Sequence, residues 1–192
     1  MNEKCDDECE CGSSAISEKL FKARTIIICG EINQKLAKEF SEKILAMSAE
    51  SNEDIRLLLN SQGGHVESGD TIHDMIKFVS PKVKIIGTGW VASAGALIYL
   101  AVPKEHRFSL PNTRFMIHQP AGGVGGSASD LEIEANEIVK MRQRINKIIA
   151  DQTGQPLEKV DKDTDRNYWM SPEEAMSYGV VGKIVSTIGE LV

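Results

Sequence analysis

Ser93 stands at the head of a run of small and apolar residues, VASAGALIYL. A core helix would accept alanine there as readily, so the hydroxyl needs a reason. It can cap a buried helix. It can also be a nucleophile, because the start of a helix supplies partial positive charge and free N–H groups to a developing oxyanion. His118 ends the apolar stretch RFMIH and precedes a polar turn. It reads either as a hydrogen-bonded core histidine or as the base that a serine nucleophile requires. The other three histidines, His65, His73 and His106, read as surface or loop residues. Two adjacent glycines, Gly63 and Gly64, follow the apolar run IRLLL in NSQGGHV. They make a tight turn, or they bring bare backbone N–H groups close to a reacting oxygen. A Ser–His pair also needs a third group to hold the imidazole tautomer. Carboxylates crowd the segment DKDTDRNYW, and composition alone does not choose among them.

The elements that must position these groups alternate along the chain. Ile16 and Leu20 suggest a short amphipathic helix. TIIIC (25–29) reads as a buried strand. Asn33 can cap a helix with Leu36, Phe40, Ile44 and Met47 on its inner face. IRLLL (55–59) is the next strand. Ser68 opens a helix carrying Ile72, Met75, Ile76 and Val79 inside, and Pro81 marks its end. VKIIG (83–87) and RFMIH (114–118) are further strands, the second after a turn at Pro111-Asn112. A glycine-rich loop, QPAGGVGGSAS, leads to the longest helix, which Ser129 and Glu132 can open as a capping box and which stops before Gly154. Ser171, Pro172, Glu173 and Glu174 form a second capping box with proline in the first turn. That helix ends at Gly179, and KIV (183–185) closes the chain. Strands alternating with helices mean an α/β domain, whose sites lie at strand ends. Ser93, His118 and the glycine pair all lie there. The segment around Ser93 is not a G-x-S-x-G elbow, since Val91 takes the first glycine's place.

The chain's 192 residues fit one domain. The net charge of -6 offers no basic stripe for nucleic acid and argues against an anionic membrane as partner. No apolar run approaches the ~20 residues needed to span a bilayer. The acidic start carries no apolar signal region, so a cytoplasmic setting is expected. Cys5, Cys9 and Cys11 crowd into residues 1–14, which read as a flexible acidic tail. Three thiolates there could hold a soft metal, but a fourth ligand is not evident. No G-x-x-x-x-G-K-[ST] loop is present, and no His-Glu-x-x-His or paired Cys-x-x-Cys pattern marks a metal.

Taken together, the segments NSQGG, ASAGA, LPNTRFMIHQPAGG, TGQPLEKVDKDTDR and MSPEEAMSYGVV, in this order and spacing, resemble the proteolytic subunits of the Clp protease family. The resemblance runs from about residue 16 to 185. It implies a crotonase-like α/β fold of stacked ββα units, as one domain over residues 15–192 with a protruding handle at about 119–150. It implies a serine endopeptidase that cleaves unfolded proteins to short peptides. The site would lie inside a 14-mer of two stacked heptameric rings fed by an ATP-driven Clp-family AAA+ unfoldase. The chain itself would need no cofactor, since ATP is used by that partner. Residue by residue, Ser93 matches the nucleophile and His118 the base. The N–H groups of Gly64 and Ala94 match the oxyanion hole. Asp165 and Arg166 match a pair that ties ring contact to site geometry.

The chain also departs from the family pattern. The third triad member is usually an aspartate directly after that arginine; here it is Asn167. An amide oxygen can accept from the imidazole, but it lacks the charge that stabilises imidazolium. Arg56 and Leu58 stand where the family's unfoldase-docking strand is rich in tyrosine, and Gln62 replaces a proline. These departures lead to the expectation of a weakly active or regulatory subunit, completed in mixed rings with a second isoform. A crotonase-type acyl-CoA enzyme is a further alternative, sharing the fold and a two-amide oxyanion hole.

Overall fold

A computed structural model describes residues 15–123 and 125–191. A helix over 15–22 (α1) leads into β1 (Thr25–Ile32), α2 (Gln34–Glu50), β2 (Ile55–Gly64), α3 (Val66–Phe78), β3 (Val83–Ala92) and α4 (Ala94–Tyr99). Then come β4 (Arg107–Ser109), β5 (Arg114–Ile117), α5 (Ala128–Thr153), α6 (Leu157–Asp163), β6 (Tyr168–Met170), α7 (Pro172–Tyr178) and β7 (Lys183–Ile184). Strands β1, β2, β3, β4 and β7 lie side by side and parallel. β3 branches. Its first half pairs with β4, as Ile85 with Arg107, and its second half with β5, as Trp90 with Arg114. The ladders also shift register midway, between Cys29 and Glu31 on β1 and between Leu59 and Ser61 on β2. Each long strand thus behaves as two strand segments followed by a helix, the repeated ββα unit of a crotonase-like fold.

The pattern of each element explains its place. Alternation on β2 buries Ile55, Leu57 and Leu59 against the helices, while Arg56 and Leu58 face the other side. In α2 the 3.6-residue period buries Ala37, Phe40, Ile44 and Met47, and the Asn33 side chain caps the helix by accepting the Leu36 N–H at 2.9 Å. The far end of α2 is closed by Arg24, whose guanidinium donates to the carbonyls of Met47, Ser51 and Glu53. Arg107, 1% exposed, likewise joins distant turns: it donates to the carbonyls of Gly179, Val180 and Gln152.

Several sequence expectations shift in the structure. α3 opens at His65, not Ser68; the His65 ring accepts the Ser68 N–H. The box that opens α5 is Ser127 with Asp130, two residues before the expected pair. The Ser171–Glu174 box is found as read. β2 and β3 run on past their apolar runs, through NSQGG and GTGWVA. His73 is buried rather than superficial, while Ile16 is 62% exposed. α5 carries no buried residue before Ile145. Among the described residues no helix is long and apolar enough to cross a membrane. The cysteine-bearing tail lies outside the described residues.

Candidate active site

The site grows from the end of β3. Ser93 follows Ala92, and its N–H donates to the Met116 carbonyl of β5 at 3.0 Å. It then turns into α4 with φ 57° and ψ -124°, a left-handed excursion rare for a residue with a side chain. Its hydroxyl makes no capping bond to the helix it precedes. Instead Ser93 Oγ lies 2.8 Å from His118 Nε2. The two readings of the serine therefore separate here: the side chain leaves the helix uncapped and engages the imidazole. A strained turn that lifts a nucleophile off a strand end is a functional signature, and this chain builds it without the glycine that precedes the serine elsewhere.

Small residues make the turn feasible. A Cβ on Gly63 would come 2.5 Å from Ser93 Cβ and 2.9 Å from the Ala92 carbonyl oxygen. A Cβ on Gly64, whose φ is +150°, would strike the Ile32 carbonyl oxygen at 2.2 Å. The glycine pair is thus required by close approach on two sides. The Gly63 N–H is taken by Ser61 Oγ at 3.0 Å, and that buried hydroxyl donates to the Gly30 carbonyl at 2.6 Å. His65 donates its N–H to Ile32 of β1. Ala94 is the first residue of α4, where a backbone N–H has no partner inside the helix.

His118 follows β5 and is half-buried. Burial holds its pKa below the ordinary histidine value, and the hydrogen bond that its ring N–H donates to the Asn167 side-chain oxygen works in the opposite direction. The sheet makes that contact: β5 and β6 pair antiparallel, Ile117 with Tyr168, so the next pair along is His118 with Asn167. With Nε2 facing Ser93, Nδ1 is left for the amide. Asn167 itself is exposed. Just before it, Asp165 receives hydrogen bonds from Gln119 through its backbone carbonyl at 2.7 Å and lies 3.5 Å from the Arg142 guanidinium of α5. Gln119 also donates its N–H to the Thr164 carbonyl. Arg166 is exposed beside them.

Beside the Ser–His pair opens a small apolar pocket. Val66 of α3, Leu97 of α4, and Ile145 and Ile149 of α5 form its walls. Of the residues expected from sequence, Ser93, His118 and Asn167 come together, with Gly64 and Ala94 around the serine. Asp165 and Arg166 lie on the adjoining segment rather than at the serine. Sequence reasoning missed Ser61, Gln119 and the pocket walls. Only the polar Ser61 inside a buried strand end could have signalled its role. Among the described residues no cluster of His, Cys, Asp or Glu is placed to hold a metal ion.

This arrangement can add a serine hydroxyl to a carbonyl, and comparison with known proteins agrees. A family model described as Clp protease matches residues 9–188. A Rhizobium johnstonii protein named ATP-dependent Clp protease proteolytic subunit 3 is 62% identical over 172 residues, covering 90% of this chain and 89% of the relative. Subunit 2 of the same protease from Gluconobacter oxydans is 54% identical over 191 residues, covering 97% and 86%. Among solved structures, an Asn-to-Asp variant of ClpP1 from Listeria monocytogenes is similar at a TM-score of 0.87 and 56% identity, covering 92% of this chain and 99% of that one. ClpP1 from the same organism gives a TM-score of 0.84. On the site's geometry and these matches, the chain belongs to the Clp protease family.

Proposed function

We propose that this chain is the serine endopeptidase subunit of an ATP-dependent Clp protease, with Ser93 as nucleophile, His118 as base and Asn167 as the group that orients the imidazole. The observation that carries the assignment is the 2.8 Å contact from His118 to a serine held in a strained turn. As Ser93 Oγ attacks the peptide carbonyl carbon, its proton passes to His118 Nε2. The Gly64 and Ala94 N–H groups receive the charge on the carbonyl oxygen. His118 then gives its proton to the departing amine. Water, activated by the same imidazole, releases the acyl group as a short peptide. The apolar pocket takes the side chain on the acyl side of the cleaved bond, so apolar residues are favoured there. Burial disfavours the charged form of His118 and so favours the neutral imidazole that a base needs.

The chain works in rings, and an ATP-driven Clp unfoldase supplies the substrate; this chain needs no cofactor of its own. The exposed apolar residues Leu131, Ile133 and Val139 on α5 suit contact between two stacked heptameric rings, and Asp165, 3.5 Å from Arg142 of the same helix, would with Arg166 tie that contact to the site. A cytoplasmic setting goes with such a partner. A fluorophosphonate probe tests the core of the reading: labelling of assembled protein that is abolished in Ser93→Ala is the expected result, and labelling that survives overturns it.

A second reading is favoured by Asn167, whose amide oxygen accepts a hydrogen bond from His118 but carries no negative charge. On this reading the homomeric particle is weakly active, and mixed rings with a second isoform restore full activity. The outer face of the sheet fits this. Arg56 and Leu58 line an apolar groove with Ile86, Leu110, Ile188 and Leu191, and a guanidinium at its edge makes a poor seat for an unfoldase's apolar segment. Native mass spectrometry of co-expressed isoforms should show mixed rings; homomeric rings alone overturn this part. The acyl-CoA alternative has no support among the matched relatives.

A further inference from the structure

Resting on the peptidase reading above, we infer that Asp70 and Arg144 are positioning residues that set the width of the apolar substrate pocket. Two helices form its opposing walls, α3 through Val66 and α5 through Ile145 and Ile149. Asp70 lies four residues after Val66, on the same face of α3 one turn along. Arg144 directly precedes Ile145. The two side chains meet in a bidentate pair: Nη1 to Oδ1 at 2.8 Å and Nη2 to Oδ2 at 2.6 Å. A fork-to-fork carboxylate pair fixes direction as well as distance, which a single lysine contact would not.

The location gives the pair its leverage. α5 buries nothing before Ile145, so Arg144 stands where the helix leaves the body of the protein. The pair ties that point to α3 just beside the reacting groups. Gly69, next to Asp70, sits so close to Ala94 that an added Cβ would be 3.1 Å from the Ala94 Cβ. One link therefore joins the pocket's far wall, its near wall and the start of α4. The acidic surroundings reinforce it: the Asp70 hydrogen bond is the chief cause of a raised Arg144 pKa, with Asp74 and Glu67 adding to it. The consequence is selectivity. With the link intact, the gap between Val66 and Ile145 is fixed and discriminates side chains by size. With it broken, α5 can shift outward and larger and smaller apolar groups are treated more alike.

The experiment measures the rate at which assembled particles are labelled at Ser93 by two peptide phosphonates that differ only in the residue entering the pocket, alanine or leucine. A plain alkyl fluorophosphonate, which places nothing in the pocket, is run beside them. Asp70→Asn and Arg144→Gln are each expected to change the leucine-to-alanine rate ratio about fivefold, with labelling by the plain probe little altered. The exchanged pair Asp70→Arg with Arg144→Asp is expected to restore most of the ratio. An unchanged ratio in both single variants overturns the inference, as does an equal loss with all three probes, which would mark a merely structural role. Failure of the plain probe on the unaltered protein would instead overturn the peptidase reading itself.

Discussion

The two ends of the Ser93–His118–Asn167 relay are built very differently. The serine end is over-determined. Ser93 leaves a central strand, its N–H is bonded to β5, and Gly63 packs so close that a Cβ there would strike the serine. Buried Ser61 locks the glycine turn from beneath. The asparagine end rests on β6, three residues long and exposed at Tyr168 and Trp169. It is held by the pairing to β5 and by a few hydrogen bonds among Gln119, Thr164 and Asp165. The core fixes the proposed nucleophile, whereas its proposed helper Asn167 depends on a surface strand next to the segment expected to meet another ring. Activity is therefore most open to adjustment at the second end.

The largest effect is expected from forcing the serine end. Gly63→Ala puts a methyl group where the Ser93 Cβ already lies, and at a φ of +100°. A displacement of about 1 Å at the nucleophile costs about 10²-fold in turnover, so peptidase rate and fluorophosphonate labelling should both fall by about that much. Near-normal rates would mean that the turn is softer than its packing implies.

Asn167→Asp sharpens the other end. A carboxylate beside His118 stabilises the imidazolium that forms during attack; in the serine protease template the reverse change costs about 10⁴ in turnover. A gain of about tenfold or more is expected in fully assembled particles. The same change should move the acid limb of the pH–rate profile upward. Burial now depresses the His118 pKa and favours the neutral base. A negative neighbour favours its charged form, raises that pKa and brings the loss of activity on acidification to higher pH. A pH profile of kcat/KM that stays in place would refute this account of the amide.

The smallest effect is expected from Gln119→Ala. It removes the bond to the Asp165 carbonyl but leaves the strand pairing intact. Turnover should drop about threefold, with thermal stability within the ordinary range for a surface substitution. A loss as large as that of Gly63→Ala would place far more of the relay's rigidity in the surface segment than its exposure suggests.

Legibility in the sequence follows the same division. Asn33, the Ser171 box and the buried faces of α2 and β2 were readable because short-range chemistry decides them. The continuation of β2 and β3 through polar, glycine-rich stretches was not, because those residues are strand only by pairing with neighbours far along the chain. α6 and β6 were missed for a related reason: LEKVDKD and YWM are too short to show a period. Ser127 and Ser129 each have an acidic residue three positions on, and only the backbone path selects Ser127 as the cap. His73 was misjudged because a histidine on the inner face of a helix looks like any polar position. At the site, local physics left Ser93 balanced between cap and nucleophile. His118 lies 25 residues away in sequence, so their meeting is a property of the β3–β5 pairing. Asn167 was found by family resemblance alone.

That pairing also turns the choice of third residue into a matter of counting. β5 against β6 is the one antiparallel ladder among the described strands. In such a ladder, sliding one strand by a single residue turns each of its side chains to the opposite face. A deletion or insertion of one residue between Thr164 and Asn167 would bring Tyr168 or Arg166 up to the imidazole: a bulky ring in one case, a repelling cation in the other. The helper is thus addressed by its position in the count as much as by its chemistry, and a change of length in this short segment would silence the serine without touching it.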